Sequence, residues 1–218
     1  MDKHLFLFGG GPPFTSDMAN RFVAMTTTNE PISILFVERD GWEEYMSKYT
    51  DELRDLGLNE FHILPLPSTP IKEAIDCINN SSGIIINGGD TNLYADYIVD
   101  TPLSNAIRKS YVAGVPVAGF SAGALISPEV CIISAKDNEQ NEFQQRNGLG
   151  LISDVVIAVH FSQWDDECHL REAVNKYKDY MNYAIDEETG IYLENDRLVA
   201  TEGYGVYRIV EDTLKKIN

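Results

Sequence analysis

Short apolar runs recur through the first half of the chain at Leu5–Phe8, Ile32–Val37, Phe61–Leu64, Gly83–Ile86 and Val115–Ala118. Each is closed by a turn residue and followed by a stretch of helical period, which is the pattern of repeated strand-helix units. Ile84, Ile85 and Ile86 are apolar at successive positions, so a strand there buries both faces, as in a parallel sheet covered by helices on each side. Between two such runs, Tyr45, Tyr49, Leu53 and Leu56 keep helical spacing across Glu43–Leu56, and Gly57 stands where a helix C-cap is expected.

After the fifth run the pattern changes. Val130–Ser134 and Val155–His160 predict strands and His169–Met181 a helix. Ile191–Leu193, Leu198–Ala200 and Val206–Val210 predict short antiparallel strands joined by turns at Glu194-Asn195-Asp196 and Glu202-Gly203. Asp137–Asn147 is polar and is expected to form a surface loop near the site or a mobile flap. The expected architecture is a single domain over residues 1–218. It is an α/β fold, a three-layer α/β/α sandwich with a mostly parallel central sheet and a short antiparallel C-terminal extension.

Composition narrows the classes of partner. With 34 acidic residues against 17 Lys plus Arg, the net charge is −17. Such a surface repels nucleic-acid backbones and anionic membranes, and no local basic patch offsets it. No apolar run reaches the roughly 18 residues of a spanning helix. Cys77, Cys131 and Cys168 are odd in number and widely spaced, and no secretory leader is evident, so a cytoplasmic protein without disulfides is expected. The adjacent Cys168 and His169 have no third ligand at metal spacing, and neither a metal nor an organic cofactor is expected.

Candidate chemistry collects at the C-terminal ends of the predicted parallel strands, the edge where open α/β sheets bind ligands. Gly9-Gly10-Gly11 follows the first run but continues into Pro12-Pro13, so it fits a tight turn lining the site better than a phosphate loop. Asn87-Gly88-Gly89-Asp90-Thr91 follows the fourth; its glycines allow close backbone approach and outward N–H groups, while Asp90 or Thr91 suits the cap of the next helix. Gly119-Phe120-Ser121-Ala122-Gly123 has the G-x-S-x-G form of a nucleophile elbow in strand-turn-helix context, with the Ala122 N–H aimed at a developing oxyanion. A serine nucleophile needs a base. Of His4, His62, His160 and His169, His160 ends an apolar run at the same sheet edge and is the first candidate, with His169 as the fallback.

Four segments together, Asn87–Thr91, Gly119–Ala124, His160-Phe161 and Ile185–Glu187, resemble the family of dipeptidase E (aspartyl dipeptidase) and cyanophycinase. The resemblance implies a class I glutamine amidotransferase-like fold, a serine nucleophile, a histidine base and hydrolysis of peptide bonds involving aspartate. It implies Ser121 and His160 in those roles, Glu187 as the third triad member with Asp137 as its rival and Asp186 or Glu188 behind them, Gly89 and Ala122 as oxyanion donors, and Gly88 and Arg171 as substrate-binding residues. The segment Ser162–Glu167 carries none of the arginines that follow the histidine in cyanophycinases, and Arg171-Glu172 is the one echo of the aspartyl dipeptidases. The expected function is a serine-type dipeptidase acting on small aspartyl peptides. An esterase or amidase with the same triad, and an inactive sensor or binding module of the same fold, stand as the alternatives.

Overall fold

A computed structural model, describing residues 1–218, places the five apolar runs side by side. His4–Phe8 (β1), Ile32–Val37 (β2), Phe61–Leu66 (β3), Gly83–Ile86 (β4) and Val117–Phe120 (β5) pair in parallel in the order β1-β5-β4-β2-β3. Every residue of β4 and β5 is buried, because alternate side chains point to opposite faces and both faces are covered. The cover comes from helices Ser16–Ala24 (α1), Trp42–Asp55 (α2), Ile71–Asn79 (α3), Thr91–Tyr94 (α4) and Leu103–Val112 (α5), with α1 beside α2 and α3 beside α5. The α2 helix buries Met46, Tyr49, Thr50 and Leu53, and Gly57 beyond its end has φ +98°, the conformation a side chain would disfavour.

The fifth strand sits two residues further along than the apolar run suggested. Val115 N–H closes the end of α5 on the Ser110 carbonyl, so pairing starts at Val117 and carries Gly119 and Phe120 into the sheet between β1 and β4. Ser121 then follows the last paired residue and leads into Ala122–Leu125 (α6).

The second half differs from expectation in three places. Residues Gln144–Asn147 (β7) of the predicted flap form a hairpin with Val130–Ile133 (β6). Arg146 anchors it, pairing at 2.6 Å with Asp96 and 2.7 Å with Asp100 on the π-helical turn Ala95–Val99 and its C-cap. The helix Glu167–Lys176 (α7) stops short of Met181. Met181–Ile185 (β9) instead pairs in parallel with Val155–Ala158 (β8). The antiparallel tail divides between two sheets. Gly190–Glu194 (β10) and Arg197–Glu202 (β11) extend the main sheet from the free edge of β1, while Val206–Val210 (β12) and Thr213–Lys216 (β13) join β8 and β9 in a sheet ordered β13-β12-β9-β8.

The two sheets meet at the C-terminal end of β1. Gly9 N–H donates to the Thr189 carbonyl at 3.1 Å, and the Gly9 carbonyl accepts from His160 N–H at 2.8 Å. One residue earlier, the Phe8 carbonyl accepts from Ser121 N–H at 3.0 Å. A Cβ on Gly9 would lie 2.2 Å from the Ile185 carbonyl oxygen and 2.3 Å from that of Asp186. Both obstacles are main chain and cannot rotate away. Gly9→Ala is therefore expected to destabilise the protein by about 3 kcal/mol or more, read as a fall in melting temperature. By contrast, at Gly57 no atom lies within 4 Å of the added Cβ, so Gly57→Ala meets only the backbone strain of its positive φ and should cost about 1 kcal/mol.

Candidate active site

Ser121 occupies a backbone conformation that a side chain rarely adopts, with φ 48° and ψ −107°. Strain of this kind persists only where the surroundings over-determine it. Here Ser121 N–H is tied to Phe8, Gly123 N–H donates to the Asn87 carbonyl at 3.2 Å, and the helical bond from Leu125 N–H back to the Ser121 carbonyl is 2.9 Å. The flanking glycines are required by space. A Cβ on Gly119 would lie 2.5 Å from the Gly123 carbonyl oxygen, and one on Gly123 would lie 2.2 Å from that of Ile86. Beneath the turn, the Phe120 ring stacks on Phe8 at 4.3 Å and meets Phe14 and Tyr49 edge-on.

The side chains of three separate segments connect at this point. Ser121 Oγ lies 2.9 Å from His160 Nε2, and His160 Nδ1 lies 2.7 Å from Glu187 Oε1. His160 also has a positive φ, 48°, at the end of β8. The Trp164 indole stacks over its imidazole at 4.4 Å, and Trp164 N–H closes a turn on the His160 carbonyl. Lys136 holds that turn by donating to the Trp164 and Asp165 carbonyls. Glu187 stands on the crossing from β9 to β10, where Gln163 accepts its backbone N–H at 3.0 Å and its side chain packs against Gly10.

The other carboxylates weighed from the sequence face elsewhere. Asp186 is buried and accepts from Ser162 N–H and the Tyr207 hydroxyl. Glu188 is exposed. Asp137 lines the same cleft as Ser121 but accepts a 2.7 Å hydrogen bond from the Thr91 hydroxyl rather than from His160. His169 is buried on α7, and burial lowers its pKa against the opposing pull of Asp166 and Glu172. Arg171 also lies on α7, where Glu167 takes its guanidinium at 2.6 Å and the Asp212 carbonyl accepts from it. It is not among the residues that line the cleft around Ser121.

That cleft encloses about 500 Å³. On the β4 side it is lined by Gly88 and Gly89, and the two peptides that flank Gly88 are each held by a buried tyrosine. Tyr94 donates to the Gly88 carbonyl at 3.0 Å, and Tyr49 accepts from the Gly88 N–H at 3.3 Å. Burial raises the pKa of both phenols, which keeps them protonated. The Gly89 and Ala122 amides have no acceptor in the protein. Asp90 accepts from Leu93 N–H and caps α4. Sequence reasoning did not single out Trp164, Lys136, Gln163 or the tyrosine pair as parts of the site. Tyr49 alone left a signal, in the apolar stripe of α2.

The model of peptidase family S51 matches residues 5–201. Cyanophycinase of Synechococcus elongatus is 29% identical over 170 residues, covering 75% of this chain and 53% of that protein. Cyanophycinase of Nostoc sp. is 27% identical over 176 residues, covering 76% of this chain and 58% of that protein. The chain thus spans little more than half the length of these curated relatives. The crystal structure of a peptidase from an acI-B1 Actinobacterium superposes with a TM-score of 0.74 at 20% identity, covering 100% of this chain and 94% of that one, which shows a shared fold. No helix is long and apolar enough to cross a membrane.

Burial raises the Asp137 pKa from 3.8 to about 6, and the hydrogen bond from Thr91 only partly opposes the shift. Between those values the folded protein holds a proton that the unfolded chain has released, so the stability contributed by protonated Asp137 is lost as pH rises from about 4 through about 6. Asp137→Asn keeps an acceptor for Thr91 and removes the buried charge. It is expected to raise the melting temperature at pH 8, to leave it nearly unchanged at pH 4, and to flatten the slope between; a parallel slope in the variant would place the titration on another group.

Proposed function

We propose that this chain, which belongs to peptidase family S51, hydrolyses peptide bonds in small acidic peptides by a serine acyl-enzyme mechanism. The observation that carries this reading is the continuous hydrogen-bonded path from Ser121 Oγ through the His160 imidazole to Glu187 Oε1, opening onto a cleft. Glu187 accepts the Nδ1 proton, which leaves Nε2 free to accept from the serine hydroxyl. As Oγ attacks the scissile carbonyl, its proton passes to Nε2, and the imidazolium then protonates the departing amine. Water enters by the same route in reverse and releases the acyl group.

Negative charge develops on the carbonyl oxygen, and the unpaired amides of Gly89 and Ala122 are the donors proposed to receive it. Gly88 forms the wall against which the substrate backbone lies; Tyr94 fixes the peptide that carries Gly89 N–H, and Tyr49 holds the peptide before it. Preference for aspartyl dipeptides is supported by the family resemblance and by the small volume of the cleft. This chemistry uses only protein groups.

Turnover of Asp-Xaa and Xaa-Asp dipeptides, set beside simple esters, tests the reading. Hydrolysis of the Asp-containing peptides is expected, while a chain that cleaves only esters would be an esterase on this fold. Ser121→Ala and His160→Ala should each lower kcat by four orders of magnitude or more, about equally, because members of one catalytic unit fail together. Glu187→Gln should lower kcat by about a hundredfold or more. Glu187 is half exposed, so its loss should move the melting temperature little. Normal turnover in Glu187→Gln, with collapse in Asp137→Asn, would transfer the third role to Asp137.

A further inference from the structure

Arg39 follows the end of β2 by two residues and lines the cleft that contains Ser121. It is the one Lys or Arg among the lining residues, which otherwise carry the acids Glu38, Asp90 and Asp137. Its guanidinium lies 4.9 Å from the centroid of the Tyr45 ring, a cation-π contact that positions it without using its hydrogen-bond donors. Arg21, Arg54, Arg146 and Arg171 are each paired with a carboxylate; Arg39 has none, as is also true of Arg108, Arg197 and Arg208, but it alone of these lines the cleft. It therefore presents a planar set of donors, unspent, at the mouth of an acidic cleft in a protein of net charge −17.

From this placement we infer that Arg39, rather than Arg171, selects the substrate by binding the acidic side chain of the residue that becomes the acyl group. The inference rests on the peptidase reading above. A carboxylate entering this cleft is repelled by three acids and attracted at one place. The side of the cleft decides which carboxylate that is. His160 is tied to Gly9 beyond β1, and β1 and β4 flank β5 on opposite sides, with β2 beyond β4. The base must stand beside the leaving amine to protonate it. The leaving group therefore lies toward β1, and the acyl residue, with its side chain, lies toward β4, β2 and Arg39. A bidentate guanidinium-carboxylate contact there favours Asp over its isostere Asn by about ten- to a hundredfold.

Binding to the Ser121→Ala protein, measured by titration calorimetry with Asp-Leu, Asn-Leu and Asp-Leu amide, tests this separately from turnover. The expected result is that Asp-Leu and its amide bind at least about tenfold more tightly than Asn-Leu. Adding Arg39→Met should erase that difference, Arg39→Lys should restore part of it, and Arg171→Met should leave it intact. Equal or undetectable binding of the Asp and Asn peptides overturns the inference, as does a preference that survives Arg39→Met. A preference lost on amidation would show that Arg39 reads the terminal carboxylate instead, and overturns it as stated. Wild-type turnover of the same peptides reads the other question. Hydrolysis without dependence on Arg39 leaves the peptidase standing alone, and Arg39-dependent binding without hydrolysis leaves the specificity residue standing alone.

Discussion

Two backbone carbonyls and one amide at the end of β1 hold the three segments that carry the proposed triad. The Phe8 carbonyl fixes Ser121, the Gly9 carbonyl fixes His160, and the Gly9 amide fixes Thr189, two residues beyond Glu187. Each bond alone contributes about 1 kcal/mol. Their common origin matters more than their sum, because a single rigid strand sets three distances at once. That strand is buried between β5 and β10, so the reference frame of the site is also part of the core. Close packing of Gly9 against Ile185 and Asp186, which leaves no space for a side chain, and of Gly10 against Glu187 completes the arrangement.

The strained torsions at Ser121 and His160 follow from that frame. Such conformations cost on the order of 1–3 kcal/mol each, and the bonds from Phe8 and Gly9 are among the contacts that offset the cost. The proposed nucleophile and base are thereby held in place before any substrate binds, the preorganisation on which electrostatic catalysis depends. Trp164, stacked on His160 and held through Lys136, restrains the imidazole from its open side.

Much of the fold was legible because buried parallel strands leave a one-dimensional trace. Ile32–Val37 and Gly83–Ile86 could be bounded to the residue, since every position except the buried Ser33 is apolar or glycine. Short strands whose partners lie far away in sequence were harder. Gln144–Asn147 reads as polar loop, yet it pairs with β6 because Arg146 finds two aspartates some 46 and 50 positions earlier, a contact no local pattern encodes. The residues from Tyr177 to Met181, the last of which opens β9, were absorbed into a helical period for the same reason. At the site, Ser121 and His160 stood out from motif and strand-end position, and Glu187 from family resemblance. Trp164, Tyr94 and Arg39 did not, because what distinguishes them is a neighbour across space: an imidazole, the Gly88 carbonyl, and the cleft that holds Ser121.

The central claim is that Ser121 is a nucleophile activated by His160. Incubation with a fluorophosphonate, followed by peptide mass spectrometry, measures this without assuming a substrate. A single covalent adduct on Ser121 is expected, formed at least about a hundredfold more slowly in His160→Ala, whose serine lacks a base. An intact protein with no adduct, an adduct on another serine, or labelling of Ser121 at an unchanged rate in His160→Ala would contradict it.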